Sequence, residues 1–192
     1  MKEQFIEVYE KWIQRDGAAS LLEWLKGTDF FIAPASTRFH GSHEGGLVEH
    51  NVNVWNEMCR LMRVYKSEMP PDVTTESVAL VSLLHDVCKA GCYKTEMRNT
   101  KVNGVWVQKP YFTFQEDFPY GGHGAKSVFL IERFMKLSEQ EAVAINCHMG
   151  FSESGCNVAA VGSAFERFPL AWLLHVADEA ATYIVEKKPV EQ

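Results

Sequence analysis

Apolar residues recur every three or four positions over most of the chain, the period of a helix that buries one face. Phe5, Ile6, Tyr9, Trp12 and Ile13 form one such stripe, and Leu21, Leu22, Trp24 and Leu25 a shorter second one. The loop Ala33-Pro34-Ala35-Ser36-Thr37 leads into a glycine-rich run from Gly41 to Gly46. Leu47, Val48, Val52, Trp55, Met58, Leu61 and Met62 then mark a long helix over 47–66, which Pro70-Pro71 cannot continue. Thr74 or Thr75 can cap the next helix, with Val78, Leu80, Val81, Leu84 and Val87 on its apolar face. Further helices are expected over 125–136, over 139–148 behind the capping box Ser138-x-x-Glu141, and over roughly 170–186 behind Pro169.

Residues 93–120 break this period. Asn103-Gly104 sits between β-branched and aromatic neighbours, a strong hairpin signal, and Tyr111–Phe114 can extend one arm past Pro110. No repeat or linker divides the chain, so one domain over 1–192 is expected. Its class is expected to be all-α, a helical bundle with a β-hairpin inserted at about 93–120.

Composition then narrows the function. Hydrophobic residues make up 46% and charged residues 23%, which fits a globular chain and not a disordered one. Nineteen Lys+Arg against 25 Asp+Glu give a net charge of −6, which disfavours a broad basic face for duplex nucleic acid but leaves room for a local anion pocket. Five cysteines without framework spacing point to reduced thiols and a cytoplasmic location. Acidic residues in the first turns argue against a signal peptide, and no uncharged apolar run approaches the ~20 residues of a membrane helix.

Five separate segments each offer a histidine or carboxylate near an apolar face: His50, His85-Asp86, His123, His148 and Asp178. Imidazole with carboxylate suits Mn, Fe, Co, Ni or Zn, with Mg possible, and helical bundles build such sites from inward side chains. Neighbours on a helix point ~100° apart, so His85 and Asp86 share a site only if it lies between them.

Phe39-His40, Gly45-Gly46-Leu47-Val48-Glu49-His50 and the preceding Pro34-Ala35-Ser36 resemble the opening motif of the HD-domain metal-dependent phosphohydrolase superfamily. The likeness is greatest to the branch near HD-type 3′→5′ exoribonucleases and to small bacterial and phage HD proteins. Leu83-Leu84-His85-Asp86-Val87-Cys88-Lys89 resembles the superfamily's defining segment. Gly122-His123-Gly124 and Ile145-Asn146-Cys147-His148 resemble the extra histidines of its binuclear members, and Leu174-His175-Val176-Ala177-Asp178 resembles its closing aspartate. The likeness covers about residues 34–185.

That resemblance implies a helical HD domain in which His50, His85, Asp86 and Asp178 hold one divalent ion. Asp86 would bridge to a second ion held by His123 and His148, and a mononuclear variant is the alternative. Asp86 and Lys89 carry the catalytic expectation, and Lys89 would also meet phosphate oxygens. Lys126, near a helix start, and Lys94 and Arg98, in the insert, are candidate substrate contacts, with His40 at the mouth. His175 is expected to orient a ligand, and Cys88 to pack in the core.

The expected function is hydrolysis of a phosphate ester bond of a nucleotide or nucleic-acid 3′ end. A small phosphorylated substrate is favoured over a polymer. The same ligand set also serves HD-type di-iron oxygenases, and a non-catalytic nucleotide-binding module is a third reading. The insert is expected to border the site mouth, or else to mediate a homodimer.

Overall fold

The computed structural model describes residues 1–115, 120–152 and 157–187. Helices α1 (Lys2–Trp12), α2 (Ala18–Lys26), α3 (Gly46–Val64) and α4 (Thr75–Leu84) form its first half. Strands β1 (Tyr93–Val102) and β2 (Val105–Phe114) follow, and then α5 (His123–Glu132), α6 (Glu139–Cys147), α7 (Val158–Arg167) and α8 (Pro169–Ala180). A five-residue π-helical turn, Ala181–Val185, continues α8. No helix among the described residues is long and apolar enough to cross a membrane.

The all-α class expected from the sequence is corrected. The chain is mostly helical, but it pairs its helices with a two-stranded antiparallel sheet of ten-residue strands, so its class is mixed. The reason lies in residues 93–114, whose Thr, Val, Tyr, Phe and Trp side chains favour a pleated ladder. Asn103 at φ 50° and Gly104 at φ 84° provide the two left-handed residues of a tight turn, and Val102 pairs with Val105 around them. β2 runs through Pro110, which faces Met97, because each strand of a two-stranded ribbon keeps an outer edge where a missing N–H costs nothing. Residues 116–119, the end of the expected insert, lie outside the described residues.

Helix α4 forms the centre of the helical part. Its sequence TESVALVSLL has almost no polar face, and Ser77 through Leu84 are all buried. Thr74 caps it by accepting from the Ser77 N–H, and the Ser82 hydroxyl bonds back to the Val78 carbonyl at 2.6 Å. Helices α1, α3, α6 and α8 pack against it. Phe5, Leu21, Leu47, Leu80, Leu83, Leu173 and Leu174 are fully buried, each worth roughly 1.5–3 kcal/mol when removed from water.

Helix α7 was not anticipated. Gly162 lowers its helix propensity, and its apolar stripe is short, although the Asn157 side chain caps it by accepting from the Ala160 N–H. Helix α5 crosses α6 at close range. A Cβ at Gly124 would lie 2.4 Å from the Asn146 carbonyl oxygen and 2.5 Å from that of Ile145. Only glycine fits there.

Candidate metal centre

Helix α3 begins at Gly46, behind Gly45 at φ 75°, with no side-chain cap. His50 follows in the first turns, on the stripe that carries Val54 and Met58 one and two turns later, and it is fully buried. The neighbouring Asn51 amide donates to the Leu83 carbonyl at 3.1 Å, tying α3 to the end of α4. Here α4 stops. His85 is its C-cap, Asp86 has φ −104° and ψ 17°, and a 3-10 turn covers Val87–Lys89. Departure from α geometry at Asp86, with His85 still α-helical, lets two adjacent side chains address one centre.

His148 is likewise a C-cap, of α6, and Asp178 comes from α8. His50, His85 and Asp86 offer ligand atoms within 4.8 Å of one another, and so do His85, His148 and Asp178. Asp86 Oδ2 is 3.7 Å from His85 Nε2 and 4.0 Å from His50 Nε2, while Asp86 Oδ1 is 3.6 Å from His148 Nε2. These separations are long for hydrogen bonds. They approach the ~3.0–3.4 Å between neighbouring ligands that each sit ~2.0–2.2 Å from one zinc-like ion.

The ring orientations carry the same message. His85 Nδ1 bonds the Ser82 carbonyl at 2.9 Å and His148 Nδ1 the Ile145 carbonyl at 2.7 Å. A carbonyl only accepts, so Nδ1 is the protonated nitrogen in both rings and Nε2 presents its lone pair to the centre. His85 Nε2, His148 Nε2 and Asp86 Oδ1 are buried without a hydrogen-bond partner. The other such buried side-chain atom among the described residues is Asn51 Oδ1. An unpaired buried acceptor costs ~1–3 kcal/mol, and three acceptors aimed at one point suit a cation. The buried cluster of His50, His85, Asp86 and His148 can hold a metal ion, with Asp178 in reach.

Charge is distributed unevenly around it. Burial pushes His50 down, but its hydrogen bonds to Asp178 Oδ1 at 3.1 Å and Glu186 Oε1 at 3.0 Å outweigh that and hold it at about 10. Burial lowers His85 to about 4, keeping it neutral. Against its own desolvation, Asp86 is held well below the usual carboxylate range by the Lys89 ammonium, 2.6 Å from Oδ2, and by His85. Lys89 is itself buried and raised by that carboxylate despite its desolvation.

Of the other expected site residues, His40 lies beside the cluster and several lie apart from it. His123, half-buried at the start of α5, is in none of the ligand groups among the described residues. Lys126 is buried and donates to Cys92 Sγ at 3.3 Å. Lys94 and Arg98 are exposed on β1. The His40 ring lies 4.7 Å from that of His50, and its nitrogens group with His50 and Glu186. His175 bonds the His148 carbonyl at 2.8 Å, so it steadies a ligand through the backbone, and Cys88 is core.

Glu186 was missed. It ends the expected last helix, eight residues after Asp178, and the π-helical turn between them precedes its contact with His50 Nδ1 and the Asn53 amide. A carboxylate two turns beyond a ligand was the available signal. No protein-family model, curated protein or solved structure matches the chain.

Proposed function

We propose that the chain is a metal-dependent phosphohydrolase of HD type, acting on a small nucleotide. The observation that carries it is the set of three partnerless buried atoms, His85 Nε2, Asp86 Oδ1 and His148 Nε2, converging in a site that also holds a buried lysine. His50, His85, Asp86 and His148, with Asp178 in reach, would hold one divalent ion of the Mn, Fe, Co, Ni or Zn kind. One ion is favoured over two because Lys89 already claims Asp86 Oδ2 and would repel a second cation. When bound, the ion would polarise a phosphoryl oxygen and lower the pKa of water at the site.

The remaining work falls to the chain's own groups. Glu186 fixes the His50 ring, as a carboxylate behind a ligating histidine does elsewhere. Lys89 holds Asp86 in one rotamer and adds positive charge where phosphate oxygens would sit. His148, with Nδ1 committed to the Ile145 carbonyl, would turn Nε2 to the same ion. A cleft of about 480 Å³ beside His40 and Glu186 is lined by Arg38, Ser42, Tyr183 and Lys187, and it suits a nucleotide with its phosphate.

Metal analysis of the purified chain, then a screen of nucleotides and phosphodiesters with Mn, Fe, Co, Ni, Zn and Mg, tests the reading. Phosphate-ester cleavage that disappears in Asp86→Asn supports it. Turnover that requires O₂ would favour an oxygenase, and binding without turnover under every metal would favour a nucleotide-binding module. Either outcome overturns it.

A further inference from the structure

The hairpin reverses the charge of the molecule. Residues 93–114 carry four cations, Lys94, Arg98, Lys101 and Lys109, against the single acid Glu96, in a chain of net charge −6. Two of these cations are placed against each other. Arg98 and Lys109 are direct partners in the β1–β2 register and therefore project from the same face of the ribbon. Like charges directly opposite destabilise a ladder, and an anion between them removes the conflict.

The same face borders a cleft of about 720 Å³ that Thr37 and Arg38 also line. Arg38, Arg98 and Lys109 line it with Tyr111, Phe112 and Thr113. None of the three cations has a carboxylate within ion-pair distance among the described residues. Glu96, on that face, is engaged by the Tyr111 hydroxyl at 3.0 Å and Thr113 Oγ1 at 3.3 Å. The Arg98 guanidinium lies 5.6 Å from the Tyr111 ring centroid, so the cleft offers a flat cation–aromatic pair beside its anion-binding charges.

We infer that this cleft is a second binding site, for a nucleoside phosphate, with the phosphate between Arg38, Arg98 and Lys109 and the base against Tyr111. Its volume is that of a small-ligand pocket. Arg38 also lines the cleft beside His40, so the two clefts share one residue. The ligand is either a separate molecule or the far end of the substrate at the metal centre. The chemistry of recognition is the same in both cases, and it does not require the metal.

The test is calorimetric titration of AMP, adenosine and inorganic phosphate into the metal-stripped chain and into Arg98→Ser/Lys109→Ser. Both substituted residues are exposed, and circular dichroism checks that the fold persists. Binding of AMP to the stripped chain, at least tenfold weaker in the double variant and at least tenfold weaker for adenosine, is expected. No AMP binding without metal, equal binding by the double variant, or adenosine binding as well as AMP would overturn the site. In the metal-loaded chain, two equivalents of AMP indicate a separate ligand, and one equivalent with a raised KM in the double variant indicates the far end of the substrate; both uphold the site. Hairpin binding that persists while no metal supports turnover sinks the hydrolase reading and leaves this site standing.

Discussion

Two polar clusters in this molecule invite comparison, one self-sufficient and one not. Around Arg15, between α1 and α2, every strong group is answered. The guanidinium grips Glu141 with two bonds of 2.7 and 2.8 Å, donates to the Lys136 carbonyl at 3.0 Å and reaches Glu76 at 3.3 Å. Glu141 also accepts the Ser138 N–H at 2.8 Å within the capping box of α6. The cluster around Asp86 is buried more deeply, yet three of its acceptors converge without a hydrogen-bond partner. A network that closes on itself holds helices together, and one left open at a common point can hold a cation.

The comparison can be broken by mutation. Arg15→Met strands the Glu141 carboxylate in a buried site, and removal of one partner of such a pair costs ~3–5 kcal/mol. His85→Leu and His148→Leu in the metal-stripped chain each trade one hydrogen bond to a backbone carbonyl for the removal of an unsatisfied acceptor, and should change stability by less than ~1.5 kcal/mol. Urea unfolding with an unchanged m-value measures both. If the histidine variants lose as much as Arg15→Met, the Asp86 cluster is a structural one.

Metal sharpens the contrast. At a hundredfold excess over its dissociation constant, a site ion should add about 2.7 kcal/mol to the wild-type chain and nothing to His85→Leu. Thermal melts with and without added Zn or Mn read this, and an equal shift in both chains would place the ion elsewhere. A smaller effect is expected from Glu186→Gln, which keeps the Asn53 contact in reach but removes the charge behind His50. Metal affinity should fall about tenfold in a competition titration, and unchanged affinity would make Glu186 a bystander.

The smallest effect concerns acid. Glu141 is held below the usual carboxylate range, with burial opposing and the bonds from Arg15 and Ser138 prevailing. Its contribution is therefore complete above the unfolded-state value near ~4.3 and is lost as pH falls through the lower folded value. Glu141→Gln should flatten the acid limb of the stability curve below pH ~5. A limb of unchanged slope would assign that acid sensitivity to other carboxylates.

The sequence made local features readable and distant ones much less so. The Ser138-x-x-Glu141 capping box was legible because its two residues are neighbours, whereas its tie to Arg15 spans 126 positions with no periodic trace. The Asn103-Gly104 turn was legible for the same reason, and the all-α class failed because the strands beside that turn are too long to be a detail. Within the candidate site, His50, His85, Asp86, His148 and Asp178 stood out through their order along the chain. His123 shared that order yet lies outside the ligand groups found among the described residues, and Glu186 joins His50 beyond a π-helical turn that no hydrophobic pattern encodes.

Gly124 gives this architecture a genetic signature. It donates no atom to the site, but its missing Cβ lets α5 rest on the Ile145 carbonyl, the same oxygen that fixes the His148 ring. An alanine codon there would force the two helices apart at the oxygen that aims a ligand. Among alleles selected for loss of metal uptake, substitutions at Gly124 would fall into one phenotypic class with those at His148, although the two residues have no chemistry in common.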